Sequence, residues 1–501
     1  KMMKKLGICL LTGVVVFTML FAMAGPAMAA KGTLRVGWSI PARKWNPHLN
    51  TAVMLLGHLE PVYEGLVGEG PKGELLPRLA TKWEQTKDSI TFTLRDDVVF
   101  HDGTKFDANA VKANIADVQS GRYPPNAKKL IAISSVEVID ATHVRFHLNR
   151  PAPSLLYTLQ RFAGLMVSPA ALKSNSVDKV PVGTGPWKLD PKRTISGTKY
   201  VYTLNKEYWD PSVQGVAEIE INVLSVEQQF NGFASGELEV AGLHSAFVPR
   251  AKAAGYKILS PEGPHEALHI YDRTGKIVPE LADPRIRRAL SYAIDRKAFA
   301  RVVLQGNSIP STQRYLPGSQ WHSEEIEDLS YNLKKAKELM AEAGVKGFTF
   351  DTYSQNAFFD MMNEPIAGML KKIGVTMNIK SIPIGQLFVA ASSGKYAASI
   401  MPLIERHPYD FYQAKLAPDA FMNPFKYEDK EIDALAKKAA RMDEKSAAPL
   451  WTEMSRLAAE RGYLIHIGSV HFAIMVSKRA KNVKGRSFSP YNIFFRGVTV
   501  E

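Results

Sequence analysis

The 501-residue sequence predicts a multi-domain α/β protein. Three observations support this. The length exceeds what one ordinary core fills, so two or three domains are expected. The composition, 46% hydrophobic and 22% charged, is that of a chain able to bury large cores. Amphipathic stretches that end at glycine are repeatedly followed by strand-like stretches, the sign of α/β organisation.

Taken in order, "TLRVGWS" (Thr33–Ser39) alternates as a strand does. "TFTLRDDVVFHDGTKFD" reads as two short strands around a His101-Asp102-Gly103-Thr104 turn, because Asp-Gly supplies the positive φ such a turn needs. Asp107 is placed to cap a helix over "ANAVKANIADVQ". "SSVEVIDATHVRFHL" reads as a second hairpin, and "VYTLNKEYW" and "AEIEINVL" as further strands. Asp283-Pro284 opens a long helix that runs to Gly306, with Asp283 as its cap. "YNLKKAKELMAEAG" and "NEPIAGMLKKIG" are helices, each followed by a strand, "FTFDTYS" and "VTMNIKS". Two amphipathic helices are expected near 429–441 and 445–461, and "YLIHIGSVHFAIMVS" returns to strand.

The first 29 residues read as an export signal. Lys1, Lys4 and Lys5 precede the apolar run "LGICLLTGVVVFTMLFAMAG", and Ala27-x-Ala29 is a small-residue cleavage site before Ala30. The competing reading is an uncleaved anchor, since the run nearly matches a bilayer span. The sole cysteine, Cys9, lies in this segment, so the expected mature chain has no disulfide, thiolate metal site or cysteine nucleophile. Losing three lysines lowers the net charge from +14 to +11. Lys and Arg are scattered rather than clustered with aromatics, which argues against nucleic acid as a partner.

Two motifs invite an enzymatic reading. His265-Glu266-x-x-His269 matches the zinc-peptidase pattern. On a helix such histidines share one ion. Here Pro264 precedes the motif and "ALHIYD" has strand rhythm, which puts the two imidazoles about 13 Å apart. The match is therefore expected to be coincidental. Gly68-x-Gly70-x-x-Gly73 resembles a dinucleotide fingerprint, but Pro71 and the following "ELLPRLA" favour a surface turn. The chain has no Walker loop and no G-x-S-x-G, and no cofactor is expected. The densest polar stretch is "LIERHPYDFYQAK" (Leu403–Lys415), where Glu405, Arg406, His407, Tyr409 and Asp410 crowd a non-helical turn after an apolar strand. Such strand ends are where α/β proteins hold ligands.

At this point a resemblance enters. "EPVYEGLV", "GELLPRLATKWE", "TFTLRDDVVFHDGTKFDANAV", "VGTGPWKL", "DPRIRRALSYAIDR", "MLKKIGVTMNI" and "YLIHIGSVHFAIMVSK" occur in the order seen in family 5 extracellular solute-binding proteins of ABC importers, the peptide, opine and nickel group. The resemblance spans nearly the whole expected mature chain. It implies a type II periplasmic-binding-protein fold: two lobes around a cleft, plus an inserted domain. The expected division is a signal peptide at 1–29, a discontinuous domain I of 30–65, 185–263 and 476–501, a domain II insertion of 66–184, and domain III of 264–475. The implied function is capture without chemistry by a monomeric periplasmic receptor, which delivers a small solute to membrane permease subunits. The implied ligand-binding residues are Asp410, Arg406, His407, Tyr409, Glu405, Arg161, Trp38, Tyr271, Tyr353 and Asn356. Asp410 would anchor a peptide amine and Arg406 a carboxylate. Peptide-binding members carry a tryptophan where this chain has Leu403-Ile404-Glu405-Arg406. The alternative of a nickel or metallophore receptor draws on "HPYDF" and Arg161, but Met442 stands near the place of that group's metal-contacting histidine. The other alternative is a secreted zinc peptidase using His265, Glu266 and His269.

Overall fold

The computed structural model describes residues 30–501 except 43, 51, 52, 72, 245, 246, 384, 385, 488 and 490; the expected signal segment and its cleavage site lie outside the described residues. Three larger sheets organise the chain. The first has seven strands in the order Lys257–Leu259, Ala473–Val476, Val240–Leu243, Thr33–Trp38, Glu218–Val223, Lys199–Leu204, Trp187–Leu189. Thr33–Trp38 runs parallel to both neighbours, pairing Leu34 with Ile219 and Val36 with Val240. Strand alternation sends Leu34 and Val36 into a core shared with Trp187, Tyr200 and Ile219.

The second sheet is antiparallel, in the order Ala80–Gln85, Ser89–Leu94, His143–Leu148, Ile133–Val138. One face carries Ile90, Phe92, Val144 and Phe146 into a core with Val111, Ile115 and Val118 of the helix Ala108–Gln119. Asp107 caps that helix, accepting from the Ala110 amide at 2.9 Å. The hairpin of Val67–Glu69 and Leu75–Pro77 and the short helix Leu155–Leu159 join this body, with Leu66, Val67, Leu155 and Leu159 in the same core.

The third sheet, Ser308–Pro310, Leu464–His471, Glu262–Ile270, Ala398–Leu403, is antiparallel. A parallel pair, Phe348–Ser354 and Val375–Ser381, lies beside it. Its helices pack into a core that includes Leu268, Ile286, Leu290, Met362 and Ile400, and into a second around Trp451, Phe411 and Leu464.

Several elements differ from the sequence expectation. The long helix from Asp283 is two helices, Pro284–Ala293 and Arg296–Val302, because Ile294 is extended and Asp295 caps the second by accepting from the Ala298 amide. The strands around His101–Thr104 reduce to one bridge, Val99 with Lys105, although Gly103 does take φ +83°. Strand Ala473–Val476 lies in the seven-stranded sheet, between Lys257–Leu259 and Val240–Leu243.

The chain crosses between the first and third sheets at Pro261–Gly263 and again at His471–Ala473. The two crossings touch. A Cβ on Gly263 would sit 1.9 Å from the Val470 carbonyl oxygen and 3.0 Å from the Phe472 ring. The Ser469 hydroxyl donates to the Gly263 carbonyl at 3.2 Å. Backbone cannot yield to a methyl group as a flexible side chain would, so Gly263→Ala is expected to cost at least about 2 kcal/mol in chemical denaturation. A stability within about 0.5 kcal/mol of the parent would show that the crossings are loosely packed.

Candidate functional site

The strand Ala398–Leu403 ends at Leu403, and the polar stretch predicted from sequence follows it. That stretch is not wholly non-helical. Residues Pro408–Phe411 form one helical turn, which continues into a π-helical turn, Tyr412–Leu416. His407 explains the start: its Nδ1 accepts from the Tyr409 amide at 3.0 Å and Pro408 occupies the first helical position. With Nδ1 accepting, Nε2 carries the proton and donates to Glu444 at 2.9 Å. The buried ring is hemmed by Tyr157, Trp321 and Trp451 at 5.4, 5.2 and 5.5 Å. His407 is thus a post for the loop. Tyr409 leans on Trp451. Glu405 accepts from Lys415 Nζ at 2.8 Å, and its carbonyl accepts from Arg314 at 2.7 Å.

Arg406 leaves its own body and reaches the hairpin beside the second sheet. Its guanidinium donates to Gln160 Oε1 at 2.7 Å and to the Gly73 carbonyl at 2.5 Å, and lies 3.3 Å from Glu69. Gly73 must be glycine here. Its φ is +87°, and a Cβ would stand 2.5 Å from Arg406 Nη2. The Gly68–Gly73 motif is therefore more than a surface turn, because it buries Glu69 and presents a carbonyl to Arg406. Gln160 fixes the hairpin by donating to the Gly68 and Glu74 carbonyls at 2.8 and 3.0 Å.

Glu69 is the centre of the arrangement. Its side chain is 2% exposed and meets three guanidiniums: Arg161 at 3.1 Å, Arg406 at 3.3 Å and Arg486 at 2.5 Å. Arg486 also pairs with Glu60 and lies over the Phe494 ring at 4.2 Å. Burial would raise the Glu69 pKa, but Arg161, Arg406 and Arg486 override it and hold the carboxyl at about 2. Burial lowers Arg406 to about 10, against the pull of Glu69. Three cations against Glu69 and Glu60 leave one positive charge in excess. Beside this cluster a cavity of about 50 Å³ is lined by Glu60, Glu64, Glu69, Arg78, Gln160 and Arg486. That is room for a few waters, and far below the roughly 300 Å³ at which small-molecule sites begin.

Asp410 lies on the same seam but differs chemically. Its Oδ1 accepts from the Ser154 hydroxyl at 2.5 Å. Ser154 stands at the cap position of the helix Leu155–Leu159 yet makes no side-chain cap there, its hydroxyl being turned to Asp410. Among the described residues no cation pairs with Asp410 within 4.0 Å. Burial raises its pKa above the ordinary aspartate value, opposed by the Ser154 hydrogen bond and by the charge of Lys129.

The remaining sequence candidates lie elsewhere. Trp38 ends the strand Thr33–Trp38, buried against His58 at 6.3 Å between ring centres. Tyr271 and Tyr353 are a buried pair, their hydroxyls 3.0 Å apart, with Ser399 2.7 Å from Tyr271. Asn356 caps the helix Ala357–Lys371 by accepting from the Phe358 and Phe359 amides. Of the ten candidates, Arg161, Glu405, Arg406, His407, Tyr409 and Asp410 gather at the seam, whereas Trp38, Tyr271, Tyr353 and Asn356 do not. Sequence reasoning missed Glu69, Arg486, Gln160 and Ser154. Only Glu69 carried a signal, as the acid enclosed by Gly68 and Gly70.

The His265–His269 motif lies on the strand Glu262–Ile270, where His265 pairs with Leu403 and His269 with Ser399 on the neighbouring strand. Both imidazoles are buried, which lowers their pKa values, with His466 and Arg or Lys side chains adding to the effect. Neither ring nitrogen of His265 meets a hydrogen-bond partner among the described residues. Burial pushes Glu266 up to about 8. No group of three His, Cys, Asp or Glu that could hold a metal occurs among the described residues.

Comparison with known proteins places this geometry. The model of the bacterial extracellular solute-binding proteins, family 5, middle region, matches residues 74–429. The chain belongs to that family. It is 29% identical over 339 residues to the glutathione-binding protein GsiB of Shigella dysenteriae, covering 65% of this chain and 64% of that relative. The match therefore spans just under two thirds of the relative's length. Among solved structures, HbpA2 from Haemophilus parasuis superposes with a TM-score of 0.84 at 22% identity, covering 94% of this chain and 100% of that one. DppA from Helicobacter pylori, in complex with the peptide STSA, superposes at 0.73 and 21% identity, covering 94% and 98%. The shared fold is the two-lobed type II periplasmic-binding-protein fold.

Two pH effects follow, of opposite sign. Glu266 is raised by burial, so its contribution to stability is full below the unfolded value of about 4.3 and is lost as pH rises through about 8. Glu266→Gln is expected to flatten the decline in unfolding free energy between pH 6 and 9; equal slopes in parent and variant would refute the burial account. Glu69 is depressed, so its contribution is present above about 4.3 and is lost as pH falls through about 2, roughly 3 kcal/mol in all. Glu69→Gln should make the acid limb of the stability profile shallower, and an unaltered limb would count against the ion cluster.

Proposed function

We propose that the chain is the periplasmic solute receptor of an ABC importer. It works as a monomer that binds one small amine-bearing solute, such as a short peptide, at the seam between lobes and hands it unchanged to a membrane permease. The observation that carries this reading is Asp410: a carboxylate in the helical turn that follows the strand Ala398–Leu403, supported by the Ser154 hydroxyl at 2.5 Å and, among the described residues, without a protein cation within 4.0 Å. A solute ammonium supplies the missing charge, and a desolvated charge-assisted hydrogen bond contributes about 1.5–3 kcal/mol. Family membership and the glutathione-binding relative support a small peptide-like solute. Arg406 and Arg161 are already engaged by Glu69, so a solute carboxylate finds no free guanidinium at those two positions. The nickel alternative gains nothing from Met442, which packs against the core around Trp451.

Capture needs no chemistry. A solute favours the state in which it touches both lobes, by the difference between its contacts there and elsewhere. Glutathione and a set of dipeptides serve as probes in thermal-shift and calorimetric titrations. A true solute at 100 times its dissociation constant is expected to stabilise by about 2.7 kcal/mol. Asp410→Asn keeps the shape and the Ser154 contact but removes the charge, and is expected to weaken binding about 10- to 100-fold. Undiminished affinity in that variant would remove Asp410 as the anchor.

A further inference from the structure

We infer that Glu69 and Arg406 form a solute-independent pin, which holds the body built on the third sheet against the body built on the second and so limits how far the lobes part before a solute arrives. The inference goes beyond the receptor reading and does not depend on it. Four observations lead to it. First, the contacts made by the 404–411 stretch run across a seam between two separately cored bodies. Leu66, Val67, Leu155 and Leu159 belong to the core of the second sheet, and Leu403 and Phe411 to the Trp451 core. Second, three of the crossing contacts converge on one side chain: Arg406 meets Gln160, Gly73 and Glu69, and Asp410 meets Ser154 beside them. Third, an aromatic side chain crosses the same seam, with Tyr157 packed at 6.1 Å from Trp321 and 5.4 Å from His407. Fourth, the ion pair at the centre is nearly closed to solvent, with Arg406 9% and Glu69 2% exposed, so it is weakly screened by salt.

The charge arrangement makes Arg406 the removable member. Glu69 keeps Arg161 and Arg486 when Arg406 is lost, so the carboxylate is not orphaned. Loss of Glu69 would instead leave Arg161 and Arg406 buried without their shared acid, a change expected to damage folding as well as the seam. Arg161 and Arg486 thus secure Glu69 on its own side, and Arg406 is the group that reaches across.

The test uses the full chain without any solute. Backbone hydrogen exchange is followed by mass spectrometry in Leu155–Leu159 and Pro408–Phe411, alongside the radius of gyration from small-angle scattering. In Arg406→Met, exchange in both segments is expected to rise at least about tenfold and the radius of gyration to increase. The parallel pair Phe348–Ser354 and Val375–Ser381, which contributes none of the crossing contacts named above, is expected to keep its parent protection. Arg406→Lys, which retains the charge, should fall between parent and Arg406→Met. Parent-like exchange and radius in a folded Arg406→Met would overturn the pin. If Arg406→Met does not fold, Arg406→Gln, which keeps a donor for Gln160, is measured in the same way and its unchanged exchange overturns the pin equally. Because no solute is present, failure here leaves the Asp410 anchor untouched, and loss of the anchor leaves this measurement standing.

Discussion

A single carboxylate shared by three guanidiniums organises the seam of this protein. Glu69 is held by Arg161, by Arg406 and by Arg486, which come from widely separated parts of the chain. Burying any one of these charges alone would be prohibitive. Burying them together is tolerable only if the hairpin, the Gln160 clamp and the Arg406 loop arrive in mutual register. That requirement explains Gly73, whose missing side chain makes room for Arg406, and the double role of Gln160 in fixing the hairpin and receiving the guanidinium. The local geometry is thus set by an electrostatic condition rather than by apolar packing.

The same condition divides the labour among neighbouring polar groups. Arg406 and Arg161 are both paired with Glu69. His407 and Glu405 hold the loop in place through Glu444 and Lys415. Asp410 alone keeps a carboxylate supported by a neutral hydroxyl and not by a pairing cation. Most polar residues at the seam therefore position the backbone, and few are left without a charged partner. A loop whose every charge were free would cost too much to bury when the lobes meet.

Fold and site differed in how far the sequence exposed them. Helix caps at Asp107 and Asp283 and strand alternation in Thr33–Trp38 are local, so residue order reveals them. The strand rhythm around His265 likewise decided against a zinc helix, since spacing along a strand separates residues four apart. Asp295 was harder, because its capping role appears only once Ile294 turns extended and divides what reads as one helix. The resemblance implied Asn356, Tyr271 and Tyr353 as cleft residues; the helix cap made by Asn356 and the hydroxyl pair of the two tyrosines are contacts that become visible only with the neighbouring chain in place.

The sequence by itself determined the α/β class, the family, and the stretch from Glu405 to Asp410 as a concentration of polar groups after a strand. These follow from local periodicity and ordered motifs, which the chain carries wherever it folds. Only the tertiary structure decided what those groups do. Glu69 and Arg486 are separated by more than four hundred residues, and no local pattern marks them as partners. Which guanidinium is already engaged, and which carboxylate has no pairing cation among the described residues, depends on distances that exist only after three sheets have packed. Electrostatic pairing acts through space rather than along the chain.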